Sequence, residues 1–214
     1  MPAFQPLRKP IPRIWLMTDP RLGDRLLSAI RKLPAGSGVI FRHYELDRGE
    51  RHRLFATVRK VCVRRGHKLI LAGTKSEASR WHADGFHQRT GHHPLMLHSA
   101  PVHNLREIRQ AHRWGAQILF LSPLRQTRSH PGQRPLGPIR FGQLARCCHP
   151  SKVIALGGMN RAQAAKWPRT LVHGWAAIDA FEKIEILEAD FGADVDGFII
   201  RAAVRCRHQA VTLA

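Results

Sequence analysis

Residues 151–160 read SKVIALGGMN. An apolar run, Val153 to Leu156, ends in two glycines, Gly157 and Gly158, and Asn160 stands before a helix-like RAQAAKW. So short a run, stopped by Gly-Gly and followed by a helical pattern, reads as a buried strand feeding a strand-to-helix turn. Backbone that turns sharply at a strand end and enters a helix presents free N–H groups, which can cradle a phosphate. The same two glycines also suit a tight turn that holds no ligand. Which meaning applies depends on where this strand stands in the chain.

Strand-like and helix-like segments alternate on both sides of it. The expected strands are RIWLMTD, GVIFRHY, KLILAG, DGFH, HPLMLHS, QILFLSP, KVIAL and RTLVHG, the last over 169–174. Between them, DRLLSAIRKL, RHRLFATVRKVCVRRG, KSEASRWH, NLREIRQAHRWG, FGQLARCC and NRAQAAKW carry helical patterns, and WAAIDAF (175–181) reads as a closing helix. In RHRLFATVRKVCVRRG, Leu54, Phe55, Val58, Val61 and Cys62 share one face, and Gly66 is a natural stop. Near-continuous apolar strands imply a sheet covered on both faces, hence parallel. Eight such units give the expected fold class, α/β: a short, single-domain (β/α)8 TIM barrel, with a doubly wound open sheet as the alternative. The expected division is an N-terminal extension at 1–12, a barrel at 13–183 and a divergent C-terminal extension at 184–214. In that view the Gly157-Gly158 turn follows the seventh strand of eight, where barrels of this class place phosphate.

Composition narrows the classes. Hydrophobic residues make up 43% of 214, enough for one substantial core. No uninterrupted apolar run approaches the roughly 20 residues of a membrane helix, and MPAFQPLRKPIPR lacks the apolar stretch of a secretory signal. The expectation is a cytoplasmic protein with no membrane partner. Cys62, Cys147, Cys148 and Cys206 form no C-x-x-C pair and read as free thiols. Lys and Arg number 35 against 15 acids, a net charge of +20. Such a field draws nucleic acid and small phosphorylated ligands alike. A nucleic-acid regulator should also show a recognition motif or aromatics interleaved with the basic residues. The sequence shows neither, so a small phosphorylated ligand is the expected partner. Six of the acids, Glu182 to Asp196, fall in the last 33 residues.

In a barrel the chemistry belongs at the C-terminal ends of the strands. Those ends carry Thr18 and Asp19; Arg42, His43 and Tyr44; Gly73 and Thr74; His87; His98, Ser99 and His103; and Ser122. The loop after strand six, QTRSHPG, adds the donors Thr127, Arg128, Ser129 and His130. His92, His93, His98 and His103 lie within 12 residues, but two are loop neighbours with no cysteine near, so no metal site is expected there. Paired acids for general acid–base work are missing.

With these strand ends in place, the sequence resembles the thiamine-phosphate synthase family, which includes the related thiazole tautomerase TenI. IWLMTD is similar to the family's opening strand, HADGFH to its Ala-Asp-Gly-Val-His, and SAPVHN to its Ser-x-His segment. LFLSPLRQTRSHPG is similar to the loop carrying Thr-x-Thr-Lys, VIALGGMN to the Gly-Gly-Ile turn, and HGWAAIDAF to the closing phosphate-binding segment. In that family a magnesium-bound pyrophosphate leaves an aminopyrimidine, and the nitrogen of a thiazole phosphate attacks the resulting cation. The resemblance implies that Gly157, Gly158, Ala177 and Ile178 hold the thiazole phosphate. It implies that Arg42, Thr127, Arg128, Ser129 and His130 face the pyrophosphate, and it leaves His87 and His103 as candidate proton carriers. It also implies magnesium, yet the family's two aspartates correspond to Gly73 and a position near His92, so no metal ligands are assigned. Ile40 and Tyr44 stand where the family has Gln and Lys, and His130 where the loop has Lys. The TenI base position carries Pro123. The readings that follow are a synthase-type transferase with an altered pyrophosphate site, and a tautomerase-like or non-catalytic binder of a phosphorylated thiazole or similar ligand.

Overall fold

The computed structural model describes residues 10–93, 95–126 and 134–178. Eight parallel strands close on themselves in chain order, β1 to β8. They are β1 Ile14–Met17, β2 Gly38–Phe41, β3 Lys68–Leu71, β4 Gly85–His87, β5 Leu97–Val102, β6 Ile118–Leu121, β7 Lys152–Ala155 and β8 Gly174–Ala177. Closure is explicit in the register, with Leu16 opposite Ala177 on one side of β1 and Met17 opposite Ile40 on the other. The closed-barrel expectation is met and the open sheet is excluded.

Helices α1 Leu26–Lys32, α2 Arg48–Arg64, α3 Lys75–Arg80, α4 Leu105–Arg113, α5 Gly137–Cys147 and α6 Arg161–Ala164 cover the outside. Most begin at a side-chain cap that supplies an acceptor to an otherwise unbonded N–H. Asp47 accepts from the Glu50 N–H at 2.8 Å, Asn104 from Glu107 at 3.0 Å and Asn160 from Gln163 at 2.9 Å. α2 stops at Gly66, whose φ of +67° is open to glycine at little cost. The turn between β1 and α1 is a 3-10 helix, Pro20–Arg25.

Strand alternation divides the core in two. Leu16, Phe41, Leu71, Phe86, Leu121 and Ala155 face outward and are sealed by the helices, Phe55 and Phe141 among the sealing side chains. Trp15, Ile40, Ile70, Leu97, Phe120 and Ile154 fill the barrel. Trp15 meets Phe120 edge to face at 5.5 Å and donates from its indole N–H to the Pro12 carbonyl at 2.7 Å. Ile11 packs on this inner cluster, and His173 meets its carbonyl at 2.9 Å. Ile11 and Pro12 therefore close the bottom of the barrel.

Two strand assignments move. The eighth strand is not RTLVHG but GWAA, so Trp175 to Ala177, expected as the start of a helix, are strand. Gly174 explains the choice: a Cβ there would overlap the Arg13 backbone, so only glycine lets the strand lie this close to β1. Alanine-rich sequence favours helix locally, and pairing with β1 and β7 overrides it. The fifth strand starts at Leu97 rather than His93 and runs to Val102, which places His98 and Ser99 inside the strand and His103 just beyond it. The expected extension at 184–214 lies outside the described residues.

Candidate active site

Continuing the inward alternation past the strand ends assembles the mouth of the barrel. Arg42, one residue beyond β2, is held by β1. Its backbone N–H donates to Thr18 Oγ1 at 2.9 Å, its Nε to the Thr18 carbonyl at 2.8 Å and its Nη2 to Asp19 Oδ2 at 2.7 Å. Asp19 also binds Arg21 at 2.7 Å. Partial burial pushes the Asp19 carboxyl upward, but the hydrogen bonds and charge of Arg21, with Arg42 beside it, hold it below the usual carboxylate range. The result is a fixed Arg–Asp–Arg array with a net positive charge at the rim.

His87 ends β4 and points inward. Its Nδ1 lies 2.9 Å from Ser99 Oγ, Ser99 donates to the Phe86 carbonyl at 3.3 Å, and the ring stands edge-on to Phe120. Burial, then the charges of Arg42 and His98, push its pKa down to about 3. His87 is neutral at physiological pH. His103 is fixed from the neighbouring strand. Its Nδ1 lies 2.8 Å from the Ser122 carbonyl, so that nitrogen carries the proton and Nε2 is left as an acceptor. Its backbone N–H donates to Glu107, which Arg89 also reaches at 3.3 Å.

The turn after β7 is built by close approach. Gly157 and Gly158 have φ of +101° and +63°, a region that strains other residues. A Cβ on Gly157 would lie 2.9 Å from Leu124 N and Pro123 Cα, and one on Gly158 3.0 Å from Arg125 Cβ. Leu124 N donates to the Leu156 carbonyl at 2.9 Å and Arg125 N to that of Gly157 at 3.3 Å. Packing against the segment after β6 thus accounts for the glycines by itself. The pointer to a ligand is different: among the described residues, the N–H groups of Gly157, Gly158 and Met159 meet no acceptor. On the neighbouring strand, Ala177 ends β8 facing the outer core, while Ile178 follows it and packs on the inner cluster. Thr127, Arg128, Ser129 and His130 lie outside the described residues.

The donor set does not fit a magnesium ion. Octahedral magnesium needs oxygen ligands, usually one or two carboxylates. A side chain on Gly73 would run into Glu77, whose carboxylate lies 2.6 Å from the position of its Cβ. That carboxylate is committed to Arg51 at 3.3 Å, and Asp19 is committed to Arg21 and Arg42. Among the described residues no three candidate ligands converge. The four clustered histidines are separated. His98 is a core residue stacked on Phe86 and bonded to the Gln88 and Trp114 carbonyls, His93 accepts from Leu95 N, and His103 faces Ser122.

Sequence reasoning missed Arg51. It is buried in α2, reaching the carbonyls of Arg42 at 2.9 Å and Ala72 at 2.6 Å, and it ties the ends of β2 and β3 together. The signal was present, since Arg51 stands four residues before Phe55 on the apolar face of α2. Exposed Tyr44 lies over its guanidinium at 5.4 Å.

Comparison with known proteins agrees with this geometry. The family model described as thiamine monophosphate synthase matches residues 14–181. A protein of Aquifex aeolicus (strain VF5) named "Putative thiamine-phosphate synthase 2" is 25% identical over 185 residues, covering 80% of this chain and 98% of its own. Thiamine phosphate pyrophosphorylase from Pyrococcus furiosus superposes with a TM-score of 0.65 at 21% identity, over 81% of this chain and 88% of its own. The pyrophosphorylase from Bacteroides thetaiotaomicron gives 0.53 at 17%, over 82% and 87%. These two likenesses concern the fold, whereas the family match spans β1 to the residues just after β8. The chain belongs to the thiamine monophosphate synthase family.

Proposed function

We propose that the chain binds a thiazole phosphate at the mouth of the barrel and joins it to an aminopyrimidine pyrophosphate, as a synthase-type transferase with a diverged pyrophosphate site. The observation that carries this reading is the row of three unbonded N–H groups at Gly157, Gly158 and Met159, which follow β7 at the same end of the barrel as Arg42, His87 and His103. Backbone donors of this kind hold phosphate oxygens without a counter-ion of their own. Ala177 and Ile178, at the end of the neighbouring strand β8, are assigned to the same phosphate through their backbone. α6 has only four residues, so the turn itself, more than a helix dipole, supplies the field.

In the reaction, the ring nitrogen of the thiazole forms a bond to the exocyclic carbon of the pyrimidine. The carbon–oxygen bond to pyrophosphate breaks, and its electron pair leaves with the pyrophosphate. The chain's task is to orient both rings and to stabilise the departing anion. Arg42 supplies charge where the family uses a metal, and Arg128 and His130 of the following loop are assigned to the same anion. Neutral His87 is suited to holding a hydrogen bond near the reacting carbon, because a base with a pKa of about 3 transfers protons poorly at neutral pH.

A second reading is favoured by the commitment of Asp19 and Glu77 to arginines. With the metal half of the site changed, the chain acts as a tautomerase-like enzyme or a binder of the thiazole phosphate, with His103 Nε2 as proton acceptor. Pyrophosphate release from the two substrates, measured with EDTA and with magnesium, separates the readings. The transferase reading expects turnover that EDTA leaves within about threefold and that Arg42→Gln reduces at least tenfold. A well-folded protein that binds the thiazole phosphate but releases no pyrophosphate under either condition decides for the second.

A further inference from the structure

The outer face of α4 carries a feature that the mouth of the barrel does not use. Leu105, Arg106, Arg109, His112 and Arg113 line an open depression of about 620 Å³. The three arginines recur at i, i+3 and i+7, so a helix aligns them in one row about 10 Å long. None of the three is ion-paired among the described residues, and no acid lines the depression. The nearest acid of the same helix, Glu107, is turned away and held by the His103 N–H and Arg89. His112 fixes the floor by bonding the carbonyl of Cys148, the residue just past α5, at 3.0 Å. At the end of the row stands Trp114, the residue after Arg113, with 40% of its surface exposed.

We propose that this face of α4 binds single-stranded nucleic acid, with Arg106, Arg109 and Arg113 on successive backbone phosphates and Trp114 stacking on an unpaired base. Guanidinium groups pair with phosphate oxygens through a fixed fork of donors. Single-strand binders combine such a cationic track with an aromatic platform. Trp114 does not line the depression; it follows Arg113 and lies about 100° round the helix from it, beside the end of the row, so a strand with its phosphates on the arginines can turn a base onto the indole. The net charge of +20 provides the long-range attraction that brings a polyanion to the surface.

The test uses the full chain and fluorescence anisotropy with a labelled 15-mer of oligo(dT), titrated across potassium chloride concentrations. The expected result is saturable binding whose logarithmic salt slope reflects about three phosphate contacts, near −2 for a single strand. Substituting Arg106, Arg109 and Arg113 with glutamine weakens binding at least tenfold and removes most of that slope. Substituting Arg31, Lys32 and Lys60 with glutamine, equal in charge but on the opposite side of the barrel, changes it less than threefold. Trp114→Ala weakens binding at least fivefold, and Trp114→Phe restores it. Absence of binding, equal loss in the two triple variants, or tighter binding of a 15-base-pair duplex with no effect of Trp114→Ala overturns the proposal.

Discussion

His87 and His103 stand on adjacent strands, and their surroundings suit them to different tasks. His87 is enclosed, with its Nδ1 on Ser99 and Arg42 close by, whereas His103 is partly open and anchored to a backbone carbonyl. The consequence for His87 can be measured. In the unfolded chain an imidazole takes up a proton as pH falls through its ordinary 6.5, while in the fold this one stays neutral to about 3. The unfolded state therefore binds more protons across that interval. The stability contributed by neutral His87 is complete above pH 6.5 and is lost progressively as pH drops toward 3. Asparagine at 87 can keep a donor toward Ser99 without titrating. Urea midpoints of wild type should fall more steeply between pH 7.5 and 4.5 than those of His87→Asn. Parallel slopes would show that His87 is accessible to protons in the fold.

The elements explain what the sequence could convey and what it could not. Strands β2 and β6 are unbroken apolar runs, and β3 and β7 are apolar after a leading lysine, because both faces of a barrel strand are buried, and they are legible without a structure. β8 is not. GWAA is too short and alanine-rich to show a strand pattern of its own, and it becomes a strand because Gly174 permits close approach to Arg13 and because β1 and β7 would otherwise each keep one unpaired edge. The site follows the same division. Arg42, His87 and the glycine turn come from single strand ends, so position in the chain is enough to find them. The engagement of Asp19 with Arg42, and of Glu77 with Arg51, depends on which strands become neighbours, and no spacing rule supplies that. Glycine has a further role in the barrel wall, where Gly38 faces inward and a Cβ would overlap the Trp15 indole. Gly38→Ala must displace that ring from Phe120 or shift β2, at a cost of about 1–3 kcal/mol. Thermal unfolding should show a Tm lower by roughly 2–12 °C for a chain of this size. An unchanged Tm would mean that the barrel interior has slack that the packing does not show.

At the scale of the whole molecule, three chemistries share one closed barrel. The bottom is shut by Ile11 and Pro12, the covering helices α2 and α4 are arginine-rich, and the mouth joins a positive rim to a row of free backbone donors. No helix among the described residues is long and apolar enough to cross a membrane. The carboxylates nearest the ends of β1 and β3, Asp19 and Glu77, are paired with arginines, while the turn after β7 keeps three unbonded N–H groups; under the proposed function these are two separable halves of one site. Isothermal titration calorimetry with the thiazole phosphate in EDTA measures whether the turn after β7 holds its anion without the metal half of the site. Saturable one-to-one binding without magnesium is expected, and at least tenfold weaker binding in Gly158→Asp than in Gly158→Asn, which is nearly the same size, tolerates a positive φ and crowds Arg125 equally but adds no charge at the turn. Binding that requires magnesium, or that is equal in Gly158→Asp and Gly158→Asn, would contradict that expectation.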